Sequence, residues 1–222
     1  FEAKLRLGAF WCFIMKTAIL VDGGFYRRMA QKAKGYVSAE ERAEELENYC
    51  HRHLKNHTKK VDYLYRIFYY DCMPTGDIIY HPYLKEQIDY SKTDLYKWMS
   101  IFIDELKKKR KFALRLGRLA PKHDKSWFTI KPSSFKKLCN GKKQFDKLKE
   151  DDFNLSIEQK GVDIKIGIDI ASLAYKKLVD RIVLISGDSD FVPAAKLARR
   201  EGIDFILDPL YNHIPADLSE HI

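Results

Sequence analysis

Arg181-Ile-Val-Leu-Ile185, followed by Ser186-Gly187-Asp188-Ser189-Asp190-Phe191, is the stretch on which the fold of this chain turns. Its first five residues are a short aliphatic, β-branched run, as expected of a strand buried on both faces. The polar Ser-Gly-Asp segment stops that run, and Phe191 to Arg200 then reads as a helix closed by Gly202. A buried strand passing directly into a helix is half of a strand-helix-strand unit. Asp188 and Asp190 fall at the carboxyl end of that strand, where open α/β sheets bind their ligands.

Working outward, the same grammar recurs. Thr17-Ala-Ile-Leu-Val21 is a second buried run, ending in Asp22-Gly23-Gly24, which reads as a tight turn. Ser38 with Glu41 has capping-box spacing, which predicts a helix over 39–54. Val61 to Tyr70 is rich in aromatic and β-branched residues, and a turn containing Pro74 follows it. Thr93 caps a predicted helix through Leu95, Trp98, Met99, Phe102 and Leu106, spaced by three and four. Phe112 to Leu119 reads as a third strand, Trp127 to Ile130 as an extra strand in a loop-like insertion, Gly161 to Leu178 as a helix and Ile203 to Leu207 as the last strand. Helices between apolar strands predict an α/β fold with a mainly parallel sheet covered on both faces.

The chain of 222 residues suits one domain over 15–222, carrying an insertion at about 120–158. Residues 1–14 precede Met15 and the first strand; they read as an N-terminal extension, native or not, outside the fold. No apolar stretch reaches the roughly 20 residues of a membrane helix, so no membrane is expected as a partner. Cys12, Cys50, Cys72 and Cys139 form no CxxC pair, which argues against a disulfide framework or zinc ribbon and fits a reducing cytoplasm. The net charge of +9 is uneven, with sixteen Lys and Arg against three acids between 107 and 150, so the rest of the chain is net negative. Such a segment favours a polyanionic partner, although a lysine run alone is more often a solvated surface.

If the first strand and Arg181–Ile185 are neighbours, Asp22 shares one crevice with Asp188 and Asp190. Asp163, opening the helix that leads into that strand, is a fourth candidate. Each could merely cap a helix or hold a turn, but separate caps have no reason to share one sheet edge. Clustered carboxylates repel unless a cation neutralises them, and oxygen ligands without His or Cys favour Mg2+ or Mn2+ over zinc.

Thr17-Ala-Ile-Leu-Val-Asp-Gly-Gly24, Lys160-Gly-Val-Asp163 with a further Asp169, and above all Ser186-Gly-Asp-Ser-Asp-Phe191 after a strand resemble the signatures of NYN domains, the LabA-like branch of the PIN-like nuclease superfamily. The resemblance implies a PIN-like three-layer α/β/α fold with about five strands in the order 3-2-1-4-5. It also implies RNA cleavage with a divalent metal at Asp22, Asp163, Asp188 and Asp190. By that analogy Asp22 and Asp188 hold the metal, Asp163 orients or deprotonates water, Asp190 completes the shell, and Ser186 orients a carboxylate from behind. Two departures stand out. Many members carry Asn where this chain has Phe25, and Asp169 lies about 120 degrees round its helix from Asp163.

RNA binding is expected of Lys107, Lys108, Lys109, Arg110 and Lys111, and of Trp127 and Phe128 as stacking residues. Cys50, His53 and His57 share one helical face, a weak zinc pattern without a visible fourth ligand. The resulting expectation is a metal-dependent endoribonuclease, compatible with a homodimer; the alternative is a catalytically silent RNA-binding or regulatory module of the same fold. A phosphatase fits less well, because Gly24 stands where a second aspartate would be needed.

Overall fold

In the computed structural model, which describes residues 14–55, 61–121 and 127–212, the run Thr17 to Val21 is fully buried and sits at the centre of a sheet. In chain order the elements are β1 (Lys16–Asp22), α1 (Gly23–Lys34), α2 (Ala39–Arg52), β2 (Tyr63–Asp71), β3 (Ile78–His81), β4 (Glu86–Asp89), α3 (Asp94–Lys108), β5 (Phe112–Leu116), β6 (Arg118–Pro121) and β7 (Phe128–Ile130). They continue with α4 (Pro132–Cys139), β8 (Phe153–Leu155), β9 (Ile157–Lys160), α5 (Val162–Tyr175), β10 (Arg181–Ile185), α6 (Val192–Arg200) and β11 (Asp204–Asp208).

The central sheet has the order β5-β2-β1-β10-β11, and all its pairings are parallel. In terms of the five main strands this is the expected 3-2-1-4-5. Alternation along β1 sends Ala18 and Leu20 to one face and Ile19 and Val21 to the other, so both faces must be covered. On the first face lie Ile166 and Ile170 of α5 with Ala195 and Ala198 of α6. Leu46 of α2 with Met99 and Phe102 of α3 cover the second, joined by Tyr26 of α1. The result is a three-layer α/β/α architecture with six α-helices among the described residues, consistent with a PIN-like fold. None of these helices is long and apolar enough to cross a membrane.

Several expectations need correction. Asp22-Gly23-Gly24 is no tight turn: Asp22 caps α1 by accepting a hydrogen bond from the Phe25 N–H at 3.0 Å. The third strand breaks at Gly117, where a Cβ would sit 2.6 Å from the Lys160 carbonyl oxygen and 2.8 Å from Cys72 Sγ. Only glycine allows that approach, and beyond it β6 leaves the sheet to pair antiparallel with β9. The insertion is therefore structured, not loop-like. It contains the β6–β9 and β7–β8 pairs, α4, and a buried Asp152 that accepts from Ser134 Oγ at 2.8 Å and from the Lys149 N–H at 2.7 Å. A hairpin, β3–β4, had no expectation attached. The capping box of Ser38 and Glu41 is present, as is the Thr93 cap on α3. Leu95, however, is exposed and off the apolar face of α3.

Candidate active site

The sheet order puts β1 between β2 and β10, with successive connections leaving on opposite sides of β1. A crevice follows at the carboxyl ends of β1 and β10. Asp22 is the last residue of β1, and Val21 is in register with Ile185, so Ser186 emerges directly beside Asp22. Ser186 Oγ donates to Asp22 Oδ2 at 3.3 Å and accepts from the Asp188 N–H at the same distance. A fully buried hydroxyl thus ties the two strand ends together. Asp188 in turn accepts from the Asp190 N–H at 3.0 Å, capping the short 3-10 turn that opens α6.

Asp163 lies in the first turn of α5, after Gly161 in the left-handed conformation. Its carboxylate and that of Asp190 take no hydrogen bond among the described residues, and both side chains are exposed. Capping therefore accounts for Asp22 and Asp188, but not for Asp163 or Asp190.

The electrostatics join all four. Burial pushes the Asp22 carboxyl above the usual carboxylate range; hydrogen bonds from Phe25 and Ser186 oppose the rise without cancelling it, and the charges of Asp163 and Asp71 add to it. Asp163 is raised as well, first by partial burial and then by the charges of Asp188 and Asp190. None of the four takes part in an ion pair among the described residues. As they stand, no three His, Cys, Asp or Glu side chains among the described residues are grouped tightly enough to hold a metal ion together. The donor chemistry nevertheless suits a hard cation, since Mg2+ keeps several waters and is commonly held by one or two carboxylates plus substrate phosphate.

The NYN domain family matches residues 119–215. The match begins in β6 and runs past β11, and so includes the Ser186-Gly-Asp-Ser-Asp190 turn and Asp163, while Asp22 lies before it. Among solved structures, a protein of unknown function from Vibrio parahaemolyticus RIMD 2210633 aligns over 93% of this chain and 88% of its own, with 15% identity and a TM-score of 0.43. Sir2Af2 bound to a myristoylated histone peptide aligns over 91% and 86%, with 13% identity and a TM-score of 0.30. Neither score is high enough to bear on fold or function. No curated protein matches the sequence.

Three residues around the site were missed in the sequence. Asp71 ends β2 beside Asp22, is fully buried, and binds Arg27 through both oxygens at 2.8 and 3.1 Å. Gln159 of β9 approaches from the insertion: a Cβ on Gly24 would lie 3.6 Å from Asp22 Oδ1 and 3.8 Å from the Gln159 amide. Asp71 had a usable signal, an aspartate closing a strand just as Asp22 does. Phe25, in place of the Asn of many NYN domains, packs on the Ser186-Gly187-Asp188 turn, where a Cβ on Gly187 would meet its ring at 2.7 Å.

Other candidates lie elsewhere. Asp169 accepts from Tyr70 Oη at 2.8 Å and Arg115 Nε at 2.9 Å, a structural pair outside the cluster. Lys107, Lys108, Lys109, Arg110 and Lys111 end α3 and precede β5, which puts them at the amino edge of a parallel sheet, away from the carboxylates by its length. Lys107 pairs with Asp104, Lys108 with Glu105 and Lys109 with Glu47, and Lys111 bonds the Leu64 carbonyl. They do not flank the acidic site, because a helix antiparallel to the strands must end at their starts. Trp127 is half-buried just before β7, accepting from the Ser156 N–H at 2.7 Å. Cys50 is buried in the core and His53 bonds Asp208 at 2.9 Å, so those two do not offer a zinc face; His57 lies outside the described residues.

Proposed function

We propose that this chain is a metal-dependent endoribonuclease of the LabA-like NYN type, hydrolysing RNA phosphodiester bonds at Asp22, Asp163, Asp188 and Asp190 with Mg2+ or Mn2+. The observation that carries the reading is geometric: Asp22 and Asp188 end adjacent parallel strands and are tied through Ser186, with Asp163 and Asp190 opening the helices beside them, and none of the four has an ion pair among the described residues. The NYN match supports it, since NYN domains are generally nucleases. Asp22 and Asp188 would hold the ion, Asp22 while its two oxygens accept from the Phe25 N–H and Ser186 Oγ, and Asp188 while its Oδ1 accepts from the Asp190 N–H. A bound divalent ion supplies charge neutralisation and a more acidic water. Asp163, without a hydrogen bond among the described residues and with its carboxyl raised above the ordinary range by partial burial and its acidic neighbours, would accept the proton of the attacking water. Ser186 keeps the Asp22 carboxylate in place, and Asp190 holds further positive charge at the rim.

The test compares wild type with Asp188→Asn on a mixed RNA pool, with Mn2+ and with chelator. Asn at 188 can keep the capping bond to Asp190, so the fold is retained while cleavage falls by about a hundredfold or more. Undiminished cutting by the variant, or by wild type in chelator, removes the proposal. A silent RNA-binding module is favoured by one observation only, the Phe25 ring occupying the family's Asn position. That reading requires salt-sensitive RNA binding and no cleavage with either metal.

A further inference from the structure

A cleft of about 480 Å³ opens beside the carboxylates, between the insertion and the amino end of α3. Leu119, Leu155 and Ile157 of the insertion form its apolar walls, with Tyr90 opposite. Gln159 and Arg27 mark the side facing the acidic site. Gln159 is the side chain that also lies by Gly24, two residues beyond Asp22. Arg27 is clamped: its Nε and Nη2 are spent on the buried Asp71, which fixes the plane of the guanidinium in a residue that lines the cleft. None of the described residues fills this space.

We infer that this cleft receives one nucleobase of the RNA strand, beside the phosphate presented to Asp22 and Asp163. Ligand pockets run to about 300–1,000 Å³ and combine apolar walls with a few fixed polar groups; this cleft is at the smaller end, suited to a single nucleoside. The apolar walls take the face of a base, the Gln159 amide and the Arg27 nitrogen that Asp71 leaves unengaged supply the hydrogen bonds for its edge, and the positively charged insertion that forms the walls attracts a polyanion. An immobilised guanidinium loses little freedom on binding, which is what the Asp71 clamp contributes. The identity of the strand as RNA rests on the nuclease reading; the existence of a base-sized site does not.

The test is fluorescence anisotropy of a labelled five-nucleotide single-stranded RNA in chelator, compared with the same oligomer made abasic at each position in turn. One abasic position should weaken binding to wild type about tenfold, the others far less. In Leu155→Trp, which fills the cleft from β8, the intact oligomer should bind as weakly as that abasic one, and the abasic change should have no further effect. A flat abasic scan on wild type overturns the inference, and this arm needs no variant to fold. Cleavage of the same oligomer in Mn2+ is measured separately. Position-dependent binding without cleavage removes the nuclease reading and keeps the cleft, whereas cleavage with a flat scan does the reverse.

Discussion

Asp22 and Asp71 end neighbouring strands of one parallel sheet, and their surroundings make them opposites. Asp71 is inaccessible to solvent and fully satisfied, by Arg27, by Tyr69 Oη at 2.7 Å and by the Cys72 N–H at 2.7 Å. Asp22 has two hydrogen bonds, no cation, and further carboxylates for company. Asp208, closing the edge strand β11, resembles Asp71: Tyr49, His53 and the Leu210 N–H all donate to it. The same residue type at the same edge thus serves the fold where the protein supplies a counter-charge, and stays available as a ligand where it does not.

The largest expected effect comes from breaking the satisfied member. Asp71→Asn should cost about 3 kcal/mol in denaturant unfolding, because it leaves the Arg27 guanidinium partly buried and unpaired. Arg27→Leu in the same chain should recover part of that loss; strict additivity of the two would mean that the pair is not the source.

Asp208 comes next. Burial alone would raise its pKa, but the bonds from His53, Tyr49 and Leu210 win and hold the carboxyl below its ordinary 3.8. A depressed acid contributes stability that is complete above the unfolded value and is lost as pH falls through the lower folded value. Stability should therefore drop on acidification below about pH 4, and Asp208→Asn should flatten that part of the curve while costing about 1 kcal/mol at neutral pH. An unchanged acid limb in the variant would reassign the effect to other carboxylates.

What the sequence made legible follows from how locally each feature is encoded. The central strands could be read because Thr17–Val21 and Arg181–Ile185 are apolar without a break, which only burial on both faces explains, whereas their order entered through the resemblance to NYN domains. Asp188 and Asp190 could be read because they follow such a run directly. The start of α1 was hidden by Gly23-Gly24, which favour turns intrinsically and are overruled here by the Asp22 cap and the burial of Tyr26. The insertion looked like a loop because β6 to β9 are strands of three or four residues paired across some 25–40 positions, too short for alternation to show. The Arg27–Asp71 clamp joins residues 44 apart and leaves no local trace. The position of the basic run was obscured for a simpler reason: a charge count carries no information about which end of a sheet it occupies.

The unsatisfied member should respond in the opposite sense to Asp71. With the Asp22 and Asp163 carboxyls raised in the folded state, folding is penalised while both states are ionised, and the penalty fades as pH falls through the raised folded values toward 3.8. Asp22→Asn keeps a capping oxygen for the Phe25 N–H and removes the repulsion. It should therefore gain on the order of 0.5 kcal/mol at neutral pH, a gain that disappears near pH 4. Mn2+ should raise the melting temperature of wild type and not of this variant. A variant less stable at neutral pH, or stabilised equally by the metal, would put Asp22 in the same class as Asp71.

The smallest effect belongs to the far edge. Lys107 and Lys108 pair with Asp104 and Glu105 three residues earlier on an exposed helix face, where solvent and salt screen the attraction. Replacing both with Gln should leave the denaturant midpoint essentially unchanged. Each lysine that touches a phosphate of a single strand contributes about 0.7 to the slope of log affinity against log salt, so an RNA strand passing over the carboxyl edge should keep its slope in the double variant. A slope shallower by about 1.4 would mean that the strand runs along the amino edge of the sheet. The carboxylates at the other end would then be out of its reach, and the contrast between paired and unpaired aspartates would describe electrostatic strain in the fold with no bearing on RNA.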